Sequence, residues 1–153
     1  MKFRMVDRVL EFQPRRRIRG VKTVSFEEYD LKSAFGGRPC LPESLVMESL
    51  FQLGNWLIVL SSDFSQMGLL VRTREVRFLD LLRPGESLLM EVEVRSYRND
   101  GIVFDGRALA GGKLLAEGDG CLATPVDLAD YHDAADLRVL FSEIYRPESQ
   151  EKA

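Results

Sequence analysis

The sequence predicts an α+β domain: a curled antiparallel sheet of about six strands wrapped around one long buried helix. Three observations carry that expectation. Leu45–Leu60 is apolar on almost every side, as a helix inside a fold or a membrane must be. It is short for a membrane span, and Glu48, Gln52 and Asn55 interrupt it, so it reads as the core helix of a soluble domain. Two strand-like segments precede it, and four follow in succession too tight for parallel crossovers.

Taken in order, Phe3–Phe12 and Arg17–Phe26 read as strands separated by the basic turn Gln13–Arg17. In the second, Ile18, Gly20, Lys22, Val24 and Phe26 alternate with Arg19, Val21, Thr23 and Ser25, the period of a half-exposed strand. Glu27–Ser33 is a polar connection. Ala34–Pro42 is a loop, since Gly36, Gly37, Pro39 and Pro42 propagate neither helix nor central strand. Pro42 and Glu43 suit a helix start through a fixed φ and the helix dipole. Ser61–Ser65 ends the helix. Leu69–Leu79 is a strand, Arg83-Pro84-Gly85-Glu86 a turn, and Leu88–Arg95 a strand of clean alternation. Asn99-Asp100-Gly101 marks a hairpin, and Ile102–Ala110 and Lys113–Thr124 are strands joined at Gly111-Gly112. The small-residue runs Gly106–Ala110 and Ala116–Gly120 suit strands approached closely by a backbone or a ligand. Residues 125–153 form an acidic C-terminal extension with a short helix over Ala134–Tyr145, so the chain divides into a domain at 1–124 and this extension.

Composition narrows the function classes. A chain of 153 residues with 45% hydrophobic and 29% charged residues is an ordinary globular protein of one main domain. A net charge of −3 gives no electrostatic case for nucleic acid. The polar start MKFRMVDRVLEF is unlike a signal peptide, so a cytoplasmic location is expected, with no membrane span. Cys40 and Cys121 read as reduced core cysteines. No paired metal ligands, phosphate cradle or serine elbow is present, and neither metal nor cofactor is expected. The arginines of Arg15–Arg19 form a basic patch, mostly solvated surface and a minor candidate for docking an acidic carrier.

The polar residues of the helix are not scattered. At about 100° per residue, Ser44, Glu48, Gln52 and Asn55 fall within an arc of roughly 80°. Such a stripe is either a solvated helix edge or the wall of a pocket whose one ionisable group is Glu48. The pattern leaves both readings open.

Ala34–Leu60, AFGGRPCLPESLVMESLFQLGNWLIVL, resembles the signature of the FabA/FabZ family, the hotdog-fold 3-hydroxyacyl-[acyl-carrier-protein] dehydratases. Phe35, Gly37, Pro39, Pro42, Leu45, Glu48 and Gln52 fall on matching positions. Val6–Pro14 resembles the family's opening strand and Arg77–Val94 a later strand–turn–strand segment, so most of Phe3–Thr124 is covered. The resemblance implies a dimeric hotdog fold and an acyl-thioester site in which Glu48 is the catalytic carboxylate. Phe35, Gly37, Glu43, Ser44, Gln52 and Asn55 are then the substrate-binding candidates. Three positions depart from the pattern. Ala34 stands where the family has its catalytic histidine, Gly36 replaces a proline, and Glu43 replaces the glycine whose N–H meets the thioester carbonyl.

Dehydration of a 3-hydroxyacyl thioester needs one group to remove a proton beside the carbonyl and another to protonate the departing hydroxyl. Alanine can do neither, and a missing general base costs on the order of 10²–10⁴ in rate. Glu43 adds negative charge where an oxyanion needs stabilising. The expectation is therefore a FabA/FabZ-like protein that acts on or binds acyl thioesters of acyl carrier protein or coenzyme A in fatty-acid or polyketide-type lipid biosynthesis. Its own dehydratase activity is expected to be weak or lost. The alternatives are an acyl-thioesterase using Glu48 and a non-catalytic subunit. A homodimer would hold two incomplete sites, whereas a heterodimer with a histidine-bearing relative would combine the partner's histidine with Glu48. The sequence's only histidine, His132, lies in the acidic extension outside the resemblance and reads as an inert surface residue.

Overall fold

A computed structural model of the chain describes residues 4–28, 32–33 and 38–148. Strands β1 (Arg8–Gln13) and β2 (Arg17–Thr23) come first, then the two-residue strands β3 (Lys32–Ser33) and β4 (Pro39–Cys40). Helix α1 (Glu43–Ser61) follows, then β5 (Gln66–Phe78), β6 (Ser87–Arg98), β7 (Gly101–Ala110) and β8 (Lys113–Asp127). A 3-10 turn (Leu128–Asp130) leads into helix α2 (Ala134–Ile144). Six strands form one antiparallel sheet in the order β1-β2-β6-β7-β8-β5, with α1 against β2, β5, β6, β7 and β8. The expected helix-wrapped sheet is the fold observed.

The sheet can close on α1 because its strands offer small residues where the helix presents large ones. A Cβ on Gly106 of β7 would meet Leu50 at 3.3 Å, and one on Gly118 of β8 would meet Met47 at 2.9 Å. In the small-residue runs of β7 and β8, Gly106 and Gly118 thus make room for helix side chains. Val46, Leu50, Leu53, Leu57 and Ile58 of α1 are all buried to within 1%. They form one core with Ile18, Leu82, Leu88, Met90, Val92, Ile102 and Phe104 from beneath. At about 25 cal/mol per Å² of apolar surface removed from water, this layer is the main source of stability.

Local chemistry sets the ends of the elements. Pro42 is the residue before α1, with φ −54° and ψ 142°, and its carbonyl accepts from the N–H groups of Leu45 and Val46. β1 begins at Arg8, later than the expected Phe3. The Met5 N–H is spent on the Gln52 Oε1 of α1 at 2.8 Å, which draws the chain off the sheet and into the core. The expected loop before α1 contains the small sheet β3–β4, with Lys32 opposite Cys40 and Ser33 opposite Pro39. With no third strand, Pro39 interrupts no ladder. The Gly111-Gly112 turn uses φ values of 57° and 77°, a left-handed pair that glycine adopts at no steric cost.

The C-terminal segment folds back over the helix. Ala134 and Leu137 pack with Val59, Met67 and Leu128, while Phe141 and Ile144 join the main core. These positions recur at helical spacing, so α2 lays one apolar stripe on the domain. Asp133 caps its start, accepting from the N–H groups of Ala135 at 2.7 Å and Asp136 at 3.3 Å. Its end is tied to β1 by a parallel bridge between Val9 and Tyr145, and the Arg146 N–H donates to the Val9 carbonyl at 2.9 Å.

Candidate functional site

Where α2 crosses α1, the two helices do not close completely. They leave a cavity of about 340 Å³ walled by α1, the start of the chain, β5 and the C-terminal segment. Trp56, Val59, Met67, Leu137, Leu140 and Ile144 supply apolar wall. Glu48, Gln52 and Asn55 supply polar wall, one residue per helical turn, which answers the question the stripe left open. The volume falls in the range of small-molecule pockets.

Glu48 is half-buried and is held in place from its own helix: the Gln52 Nε2 donates to Glu48 Oε1 at 2.9 Å. Gln52 is itself held, because its Oε1 accepts from Met5 N–H. Two links therefore connect the start of the chain to the carboxylate. Asn55 Oδ1 accepts from the Gly68 N–H at 2.9 Å and fastens α1 to β5. Packing behind that link is tight, since a Cβ on Gly68 would lie 2.5 Å from Ile58.

Of the other residues singled out in the sequence, Glu43 and Ser44 occupy the first turn of α1, half-buried and exposed, and neither lines the cavity. Ala34, Phe35 and Gly37 lie outside the described residues. His132, read from the sequence as an inert surface residue, lines the cavity together with Arg4 and Asp136. The chain's own C-terminal segment thus lines the cavity beside the stripe of α1. The spacing of Ala134, Leu137, Phe141 and Ile144 was the available signal, since an amphipathic helix in an extension must cover something apolar.

The basic patch is largely neutralised. Arg17 pairs with Glu11 at 3.6 Å, Arg19 with Glu11, Glu91 and Glu148 at 3.4–3.6 Å, and the Arg15 guanidinium lies 5.2 Å over the Tyr97 ring. A second hollow, on the sheet, is lined by Glu75, Arg77, Asp105, Arg107, Glu117 and Asp119. Its charges offset one another, with Arg77 on Glu117 and Arg74 and Arg95 on Asp119. The hydrogen bond from Arg74 leads in holding the Asp119 carboxyl below the usual carboxylate range. Cys40 and Cys121 are buried free thiols, and burial pushes that of Cys121 up. Among the described residues, no group of three or more His, Cys, Asp or Glu is arranged to hold a metal ion.

A six-stranded antiparallel sheet wrapped on one core helix, with a carboxylate stripe facing a cavity, defines a hotdog-fold protein. A Streptococcus mutans protein solved with acetyl-CoA bound has the same architecture, with a TM-score of 0.64 over 83% of this chain and 93% of its own at 12% identity. The Escherichia coli PaaI protein of the phenylacetic acid degradation operon scores 0.60 over 76% and 77%, also at 12% identity. At such identities the likeness is one of fold. The FabA-like domain family matches residues 1–119, and the chain belongs to that family. Among its relatives are the 3-hydroxyacyl-[acyl-carrier-protein] dehydratase FabZ of Moorella thermoacetica and that of Sorangium cellulosum, each 36% identical. The alignments cover 76% and 80% of this chain and 82% and 81% of those proteins.

Proposed function

We propose that the chain acts on or binds 3-hydroxyacyl and enoyl thioesters of acyl carrier protein or coenzyme A, in fatty-acid or polyketide-type lipid biosynthesis in the cytosol. One observation carries this reading: the Glu48 carboxylate, oriented by Gln52, faces a cavity whose remaining wall is mostly apolar. An acyl chain needs the apolar wall, and proton transfer beside a thioester carbonyl needs the carboxylate. Membership of the FabA-like family and FabZ relatives that span most of the chain support the same substrate class. The sheet, with residues 125–127 at the end of β8, and α1 supply the fold, and the segment from Leu128 to Ile144 supplies the cover of the site.

Substrate-binding roles for Phe35, Gly37, Glu43, Ser44, Gln52 and Asn55 belong to this proposal, with Gln52 and Asn55 supported by their place at the cavity. A second chain is part of it too. β5 is an edge strand of thirteen residues, paired on one side with β8, and it exposes Val71 at 60% and Phe78 at 44%, with Leu79 just beyond at 56%. A long edge with one unpaired side and exposed apolar residues among its charges invites pairing with another copy or with a histidine-bearing relative. Sedimentation at micromolar concentration is expected to give a dimer.

Incubation with short, medium and long acyl thioesters tests the reading. An enoyl product from a 3-hydroxyacyl thioester, weak and dependent on Glu48, is the expected result. Free thiol release would replace it with the thioesterase alternative. Neither binding nor turnover of any acyl thioester would refute it.

A further inference from the structure

The cavity holds an imidazole as well as a carboxylate. His132 is the only histidine in the sequence, and it lines the same space as Glu48 from the opposite wall-forming segment. We propose that Glu48 and His132 form an acid–base pair within one chain, acting on a short 3-hydroxyacyl or 2-enoyl thioester bound between α1 and α2. This assignment rests on the acyl-thioester reading above and adds a catalytic residue from outside the matched family region, which ends at residue 119.

The backbone presents His132 firmly. The N–H groups of Tyr131 and His132 both donate to the Leu128 carbonyl at 2.9 Å, and Leu128 is buried to 1% with its own N–H on the Ser65 carbonyl. On the other side, Asp133 is committed to capping α2. His132 is an exposed residue that also lines the cavity. Glu48 and His132 thus line one cavity of about 340 Å³, a volume in the range of small-molecule pockets. The other charged groups at the cavity are Arg4, from the start of the chain, and Asp136, from the first turn of α2.

The chemistry balances with these two groups alone. A neutral imidazole nitrogen of His132 takes the proton from C2 of the 3-hydroxyacyl thioester. The released electron pair forms the C2–C3 double bond as the C3–O bond breaks. The hydroxyl leaves with a proton from the Glu48 carboxylic acid, giving water and the enoyl thioester. Proton transfer from imidazolium to carboxylate restores the pair, and hydration of the enoyl thioester runs the same steps in reverse.

Because the chain has one histidine, its imidazole signals are unambiguous by ¹⁵N–¹H NMR. On titration with crotonyl-pantetheine the His132 ring resonances are expected to shift saturably. Glu48→Gln is expected to change the size of that ligand-induced shift. His132→Ala and His132→Gln are each expected to lower kcat for hydration of the enoyl thioester by about 10²-fold or more, with KM little changed. Both variants alter an exposed side chain, so folding is checked simply by their melting profiles. Wild-type turnover in both His132 variants, with loss on Glu48→Gln, would overturn the pairing and leave the acyl-thioester reading standing. A ring that senses neither ligand nor Glu48→Gln would also overturn it. Absence of thioester binding and turnover in the wild-type protein would overturn both.

Discussion

Replacing Phe141 by alanine removes the clasp that holds α2 on the domain. Its ring lies 5.7 Å from Trp56, 6.4 Å from Phe64 and 5.1 Å from Tyr145. Aromatic pairs contribute about 0.5–1.5 kcal/mol each beyond the area they bury, and Tyr145 is the cap of α2 itself, so the two contacts that reach the domain, Trp56 and Phe64, amount to about 1–3 kcal/mol. Residues of α2 are at most half-buried, and besides Phe141 the helix is held by Ala134, Leu137 and Ile144, by Arg138 on Asp63 and by the tie of its end to β1, all outside the pairing of the main sheet. The loss is therefore expected as local opening and not as global unfolding. At about 1.4 kcal/mol per tenfold change, amide exchange over residues 134–144 should accelerate by roughly 5- to 150-fold. Exchange in β6, β7 and β8 should remain unchanged in native conditions. Hydrogen–deuterium exchange read by mass spectrometry resolves the two regions. Equal acceleration in the sheet and in α2, or no acceleration in α2, would refute the view that α2 is a separately held cover.

Two further substitutions test the packing and the pH dependence. Gly54→Ala places a Cβ 2.6 Å from Phe104 Cζ; overpacking of about 1–3 kcal/mol outweighs a helix-propensity gain of about 1 kcal/mol, so melting should fall and Phe104→Leu should restore most of it. Burial raises the Tyr97 phenol above its ordinary 10.0, against a smaller opposing effect of Arg15. The folded state then holds the proton where the unfolded chain releases it, so stability is complete below pH 10.0 and declines as pH rises beyond it. Tyr97→Phe should flatten that alkaline decline in thermal melts, and an unchanged slope would contradict the assignment.

The helix and the later strands were legible because burial imposes its period on the residues. Leu88, Met90 and Val92 are buried at 0%, as their alternation requires, and Asn99-Asp100 joins β6 to β7 in a hairpin. What the local pattern lacked was any record of contacts between distant residues. Nothing near Met5 announces that its N–H will be taken by Gln52, so β1 starts later than alternation suggests. The stripe of Glu48, Gln52 and Asn55 was visible, but the segment covering it lies beyond the entire sheet in sequence. His132 failed to stand out for the same reason: its place at the cavity comes from where β8 and the 3-10 turn deliver it, not from its neighbours. Ser44 continues the stripe on the helix and Glu43 precedes it, yet neither residue of this first turn lines the cavity.

Trp56, the chain's single tryptophan, lines the cavity beside the polar stripe, so its emission reports directly on whether an acyl thioester occupies that space. Titration with crotonyl-pantetheine, excited selectively at the indole, is expected to give a saturable change in emission. Leu140→Phe, which adds bulk at the cavity wall, should weaken that response while leaving the melting profile near that of the wild type. Thioester binding detected by calorimetry with the Trp56 emission unmoved would place the ligand elsewhere and contradict the account.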